Sequence, residues 1–391
     1  MALDKNNWTV ARLGDVCEIN IGKTPSRNVP KFWGNGFPWL SISDMKDKEI
    51  LSTKEQITDD AVKSCGCKVV KAETVLMSFK LSIGKIAIPK MDLFTNEAIV
   101  ALPIKNGKIL HRDFLAYALG ASDFSVFGDK AVKGLTLNKE KLQKIPIPLP
   151  PHPTQQKIAA ALDQADAVRR LARAAVAAHD DLVRGVFLEM FGDPVRNEKG
   201  WEVRKLKDLC LLIADIDHNM PKAVEQGVPF ISAKDLIDGE DISFSNVKYI
   251  SEEDYQRLSR KVKPQKGDII YSRIGAKLGK AREVKVDTKF LASYSCCTIR
   301  PKNELVSTKF LVNYLDSDFC LRQIQKKIKS IGVPDLGMDE IREMKIPVPP
   351  LPLQEKFAQI LTQIEHQKAL AQAQQAASEA VFSGLLSEVF G

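Results

Sequence analysis

Several things are scarce in this sequence. No apolar run reaches the roughly 18 residues that cross a bilayer, so no membrane-spanning segment is expected. The opening MALDKNNWTV has no apolar stretch of the secretory kind, so no secretory signal is expected either. The seven cysteines (Cys17, Cys65, Cys67, Cys210, Cys296, Cys297, Cys320) are odd in number and fit no disulfide framework, which points to a reducing, cytoplasmic setting. Cys65-Gly66-Cys67 hints at metal spacing, but none of the five histidines stands near it, so no metal site is expected. Catalytic signatures are missing too. There is no Gly-x-Gly-x-x-Gly, no Gly-x-Ser-x-Gly and no His-Glu-x-x-His. Gly22-Lys23-Thr24 ends like a phosphate loop but lacks the glycine that would frame it. A catalytic role for this chain is not expected.

What is present is a repeat. Ile145-Pro146-Ile147-Pro148-Leu149-Pro150-Pro151, then Gln155-Gln156-Lys157, leads into an Ala/Leu-rich arm ending Phe191-Gly192. Ile346-Pro347-Val348-Pro349-Pro350, then Gln354-Glu355-Lys356, leads into a second arm ending Phe390-Gly391. From Leu162 and Leu361 onward the arms align without a gap at an offset of 199. The segments ahead of the arms repeat as well. Trp8…Leu13-Gly14-Asp15 answers Trp201…Leu206-Lys207-Asp208, Ser78 answers Ser272, and Gly84-Lys85 answers Gly279-Lys280, at drifting offsets that mean loop insertions in a shared scaffold. The expected domains are 1–150, an arm at 151–192, a second copy at 193–350 and a second arm at 351–391.

Charge follows this division. The net +8 of the chain resolves to +6 over 1–153, zero over 154–192, +4 over 193–353 and −2 over 354–391. The basic excess lies on the two units and not on the arms, which points to a polyanionic partner for the units.

Both units read as mixed α/β, with short β-type runs such as 74–79 and 268–272 between Gly- and Pro-marked turns, and helices near 111–120 and 308–329. Alternating Ile-Pro forbids helix ahead of the first arm, so helix is expected to start near Thr154 as N-cap, and after Pro352 in the second arm. Apolar residues at alternating four-three spacing (Ile158, Leu162, Val176, Val183, Met190; Phe357, Leu361, Ile364, Phe382, Leu385, Val389) predict a coiled-coil seam that is polar in its middle. An isolated helix of this composition is marginal, so each arm needs a partner, and the nearest is the other arm. Antiparallel pairing would relate the halves by a pseudo-twofold axis and bring Gly391 near the first unit. The fold class expected is α+β: two similar mixed α/β units separated by two long helices forming an antiparallel coiled coil.

Trp8-x-x-x-x-Leu13-Gly14-Asp15, Gly22-Lys23-Thr24-Pro25-Ser26, the run from Trp33 to Trp39 with Asp44, and the Ile-Pro-Ile-Pro-Leu-Pro-Pro…Gln-Gln-Lys stretch together resemble the specificity subunits of type I restriction–modification systems, over essentially the whole chain. The resemblance implies two target-recognition domains, each reading half of a bipartite, asymmetric DNA site. It implies helices that act as spacer and as platform for two methylation subunits. Adenine-N6 methylation with S-adenosylmethionine, and cleavage driven by ATP and Mg, would belong to methylation and restriction partners, leaving this chain without a cofactor of its own. A scaffold that binds only proteins is the alternative reading.

On either ground, Lys and Arg should hold phosphates while a few loop side chains read base edges. The candidates are Lys23, Thr24, Ser26, Arg27, Lys80, Lys85, Lys130, Lys133 and Thr136 in the first unit. In the second they are His218, Asn219, Lys234, Ser272, Arg273, Lys277, Lys280, Lys329 and Ser330.

Overall fold

The computed structural model describes residues 5–124, 129–131, 134–217, 220–237, 241–325, 328 and 333–391, with the hairpin strands at 129–131 and 134–136 described by backbone alone. The chain divides into two compact units: Met1–Arg173 with Ala373–Gly391, and Ala174–Gln372. The expected domain limits thus differ from the compact units, because each unit takes in the near part of one arm and the far part of the other.

The units share one plan. In the first, strands run in the order Asn20–Ile21, Ile99–Leu102, Val75–Ser78, Ile86–Pro89, Glu49–Ile50; a second sheet places Trp33–Leu40 between Glu55–Ile57 and Phe94–Thr95. In the second, Cys210–Ala214, Cys296–Pro301, Ile269–Ser272 and Ala281–Glu283 follow the same order, and Val228–Ile231 lies between Lys248–Ile250 and Leu291–Ala292. The ladder registers coincide: Ser78 faces Ile99 as Ser272 faces Cys296, and Asn20 faces Ala101 as Ala214 faces Thr298. The internal repeat is therefore a repeat of structure.

The Ile-Pro run is a strand. Pro146–Leu149 pairs antiparallel with Thr9–Arg12, and Lys345–Val348 with Glu202–Lys205. A two-stranded ribbon tolerates prolines because alternate residues point their missing N–H away from the partner. The same alternation buries Ile145 and Ile147, or Ile346, in the core below. The helices begin earlier than expected, at His152 and Leu351, so Thr154 lies inside the first turn and is not its cap. Proline is accepted there, since first-turn N–H groups have no helical partner, and Pro153 and Pro352 sit in that turn. The helix expected over 308–329 is two, Thr308–Leu315 and Asp318–Gln325.

Each arm is one 40-residue helix. Within each unit the two arm segments run antiparallel. In the second unit Asp180 pairs with Lys368, while Phe187 and Phe191 meet Phe357, so one chain ascends as the other descends. In the first, the helix Arg112–Ala121 supplies the scale. His111 meets Gln155, Phe114 meets Phe390, and Tyr117 meets both Asp163 and Phe382. The seam residues anchor the arms into the unit cores as well as to each other. Ile158, Leu162, Phe382, Leu385 and Val389 join the cluster of Leu13 and Phe114, whereas Val183, Met190, Phe357 and Leu361 join that of Leu206 and Phe310. Val176 is only partly buried and belongs to neither cluster, and Ile364 is buried on the arm itself.

One buried polar residue fixes each arm. Gln155 is fully buried, accepts the His111 N–H at 2.8 Å and donates to Ile109 O at 2.8 Å and Pro150 O at 2.9 Å. Gln354 repeats this with the Ser307 N–H at 2.8 Å and Pro349 O at 2.7 Å. The amide joins the end of the ribbon, the start of the arm and the N-terminus of the domain helix. Replacing Gln155 or Gln354 with Ala leaves buried backbone groups unpaired, and about 1–3 kcal/mol of stability should be lost in each case. Denaturant unfolding of the full chain measures this, and an unmoved midpoint would show that the amide is dispensable.

Candidate nucleic-acid interface

The loop that follows strand Asn20–Ile21 is held from below. Gly22 lies so close to the next strand that a Cβ would collide with Thr95 Oγ1 and with the carbonyls of Thr95 and Asn96. The Lys23 N–H donates to Thr95 O at 2.8 Å, Trp39 Nε1 donates to Lys23 O at 3.2 Å, and Trp33 Nε1 to Ser26 O at 3.2 Å. Arg27 lies flat on an aromatic floor, with its guanidinium 3.7 Å from the Trp33 ring centre and 5.2 Å from that of Trp39; the two indoles meet edge-on at 4.9 Å. Both ends of its fork engage Glu55. That bond holds the Glu55 carboxyl below the ordinary carboxylate range and raises Arg27 further. Lys23 Nζ donates to Cys65 O at 3.1 Å, and Thr24 Oγ1 donates to Glu97. Lys23, Thr24, Ser26 and Arg27 are therefore exposed but pre-positioned.

A second device occurs in both units. Buried Ser78 donates its hydroxyl to Ser82 O and accepts the Lys85 N–H at 3.0 Å, with Gly84 in the left-handed region at φ 86°. Buried Ser272 donates to Lys277 O and accepts the Lys280 N–H at 2.9 Å, with Gly279 at φ 92°. The serine closes a turn that sets Lys85 or Lys280 immediately after a glycine. Lys85 is exposed, and Lys280 and Lys277 are partly so. Lys80 reaches over Phe79 at 5.4 Å.

Two candidates are internal and are corrected here. Ser272 is the buried closer of that turn, not a surface donor. Arg273 is also buried. It donates to Leu336 O at 3.1 Å and Tyr294 O at 2.9 Å, faces Asp335 and Asp215 at 3.3 and 3.7 Å, and so ties four chain segments together. Lys234 is exposed, bonded to Asn246 O at 3.2 Å and beside Asp235 at 3.3 Å. Lys133, His218, Asn219, Lys329 and Ser330 lie outside the described residues, as do the side chains of Lys130 and Thr136. The sequence reading missed Glu55 and Trp39 as supports of the Arg27 loop. Trp39 stood within a quoted motif, but nothing local ties Glu55 to a partner 28 positions away.

A family model described as type I restriction modification DNA specificity domain matches this chain twice, over residues 5–174 and 198–378. The type I restriction enzyme MjaIX specificity subunit of Methanocaldococcus jannaschii is 27% identical over 380 residues, covering 90% of this chain and 85% of that protein. The EcoR124I/EcoR124II specificity subunit of Escherichia coli is 28% identical over 162 residues, covering 39% of this chain and 40% of its own. Among solved structures, the S subunit of a type I restriction–modification system from M. genitalium superposes with a TM-score of 0.59 at 16% identity, covering 100% of this chain and 98% of that one. A chain from a study of complex assembly in a type I restriction–modification system gives 0.59 at 19% identity, covering 98% of each. These structures share the fold.

The Arg27–Glu55 contact sets a pH dependence. A carboxyl whose folded-state pKa is depressed stabilises the fold above its unfolded value of about 4.3, and that contribution fades as pH falls through the lowered value. Trp fluorescence should hold steady through pH 5 and change only on stronger acidification. Glu55→Gln should remove the Arg27 component of that acid step. An acid transition identical in wild type and variant would show that Glu55 does not hold the loop.

Proposed function

The chain belongs to the type I restriction–modification DNA specificity family, and we propose that it is the subunit that gives such a complex its DNA sequence specificity, each unit reading one half of a bipartite site. The observation that carries this is the recurrence of one lysine-presenting turn, Ser78…Lys85 and Ser272…Lys280, in both family-matched halves, on the parts of the chain that hold the basic excess. Lysines on a fixed turn suit sequence-independent phosphate contact. The loops differ between the halves, with Gly22–Arg27 resting on Trp33 in one and a different sequence in the other, as expected if two different half-sites are read. The arms, free of net basic charge, separate the half-sites and dock methylation subunits. Those partners supply S-adenosylmethionine chemistry at adenine N6, and restriction subunits supply ATP-driven cleavage.

Lys85→Ala and Lys280→Ala should each weaken binding to every duplex sequence and lower the slope of log K against log salt by about one. Gel shift with random-sequence duplex, alone and with a methylation subunit, reads this. No binding in either case would favour the protein-only scaffold. Deleting about four residues, near one helical turn, from one arm should change the spacer between half-sites or abolish activity while leaving both half-site sequences alone. Mapping methylated adenines in cells carrying each variant would show it, and altered half-site sequences would defeat the spacer role.

A further inference from the structure

A recess of about 230 Å³ opens in the first unit beside the Gly22 loop. Asn20, Gly22 and Thr95 line it together with Lys68, Lys71 and Glu18. Thr95 is 2% exposed, and its hydroxyl, packed against Gly22, has no partner. A buried hydroxyl left unpaired is costly unless something completes it.

The fold does not require the residues that line this recess, because the second unit replaces them. The ladders match Asn20 with Ala214 and therefore Gly22 with Ile216, which is buried. Thr95, beside Leu40, matches Ala292, beside Ile231. Thr74 and Pro103 match Asp268 and Arg300, which form a doubled ion pair with both bonds at 2.8 Å. Where one copy has a buried isoleucine, an alanine and a closed salt bridge, the other has a glycine, a hydroxyl and lysines.

We propose that this recess seats a phosphate group, held by Lys68 and Lys71 and completed by the Thr95 hydroxyl once its side chain turns toward the anion. Lys71 is engaged by Asp92 at 2.7 Å in an exposed pair, which an incoming phosphate can displace. Glu18 accepts from Asn20 Nδ2 at 3.1 Å, so the anion belongs at the lysine side. Gly22, the first residue of the loop, lines the recess, so the recess adjoins the loop. The site rests on the DNA-binding reading for one source of phosphate, the duplex backbone; free phosphate is the other.

The full-length chain is titrated with random duplex across a salt series and, separately, with inorganic phosphate followed by ³¹P line broadening, as wild type, Lys68→Ala, Thr95→Val and Glu18→Gln. For a backbone phosphate, Lys68→Ala lowers the salt slope by about one and weakens binding several-fold, while Glu18→Gln tightens it. Lys68 is exposed, so its variant stays informative even if Thr95→Val folds poorly. An unchanged slope with broadening lost in Lys68→Ala supports a free-phosphate site and overturns the backbone source. Wild-type DNA binding with neither readout moved by any variant overturns the recess and leaves the DNA reading standing. Failure of the wild type to bind any duplex, alone or with a methylation subunit, overturns the DNA reading, and the ³¹P result then decides the recess.

Discussion

The rest of the structure depends on how the first unit's apolar core is finished. Its last wall comes from Ala373–Gly391, the far end of the chain. Phe382 and Val389 are buried among Leu13, Phe114 and Ile158, and Lys5 Nζ reaches Gly391 O at 3.2 Å. The second unit is finished in the same way, but by residues nearer in sequence: Phe187 and Phe191 meet Phe310 and Phe357. A core assembled from both ends of a chain pays a loop-closure cost before its contacts form, which slows folding and couples the arm to the unit. The arms are therefore structural members of both units.

Within the first unit, charge adds to the apolar contacts between the arm segments. Arg169 stacks on Phe382 at 4.2 Å, bonds Asp166 and faces Glu379 at 3.5 Å, and Arg173 reaches Glu379 at 2.6 Å. Asp166 is buried, and its carboxylate is answered by Arg169 and Arg170. That pairing lies within one helix and survives any shift of the other arm; it is the reach of Arg169 and Arg173 to Glu379 that a slipped partner would lose. The polar part of the seam, which weakens an isolated helix, thus gains a partner when the arm segments pair.

Much of this was legible in the residues. The repeat, the two-unit plan, the long helices and the return of Gly391 to the first unit followed from offsets and periodicity. What was not legible depended on distance. Ser272 and Arg273 have surface-like side chains, and only the folded chain shows that Ser272 is spent on the carbonyl of its own turn and Arg273 on carbonyls of remote segments. The N-cap expected at Thr154 failed because proline is excluded from helix interiors and not from first turns. Arg27 is a candidate contact from its sequence, yet its geometry is set by Glu55 and two indoles that spacing alone does not assign.

The repeat also separates what a recognition unit must have from what it can vary. Both copies keep the buried serine turn, the glutamine clamp and the proline ribbon, each of which satisfies buried backbone groups that would otherwise be unpaired. They differ elsewhere: Arg27 rests on Trp33 in the first copy, and where the second has the Arg300–Asp268 pair the first has Pro103 and Thr74. Specificity can change at an exposed position such as Arg27 without touching the scaffold, since a substitution there alters surface chemistry while the ladders and clamps hold the frame. The same frame can therefore be used twice in one chain for two different half-sites.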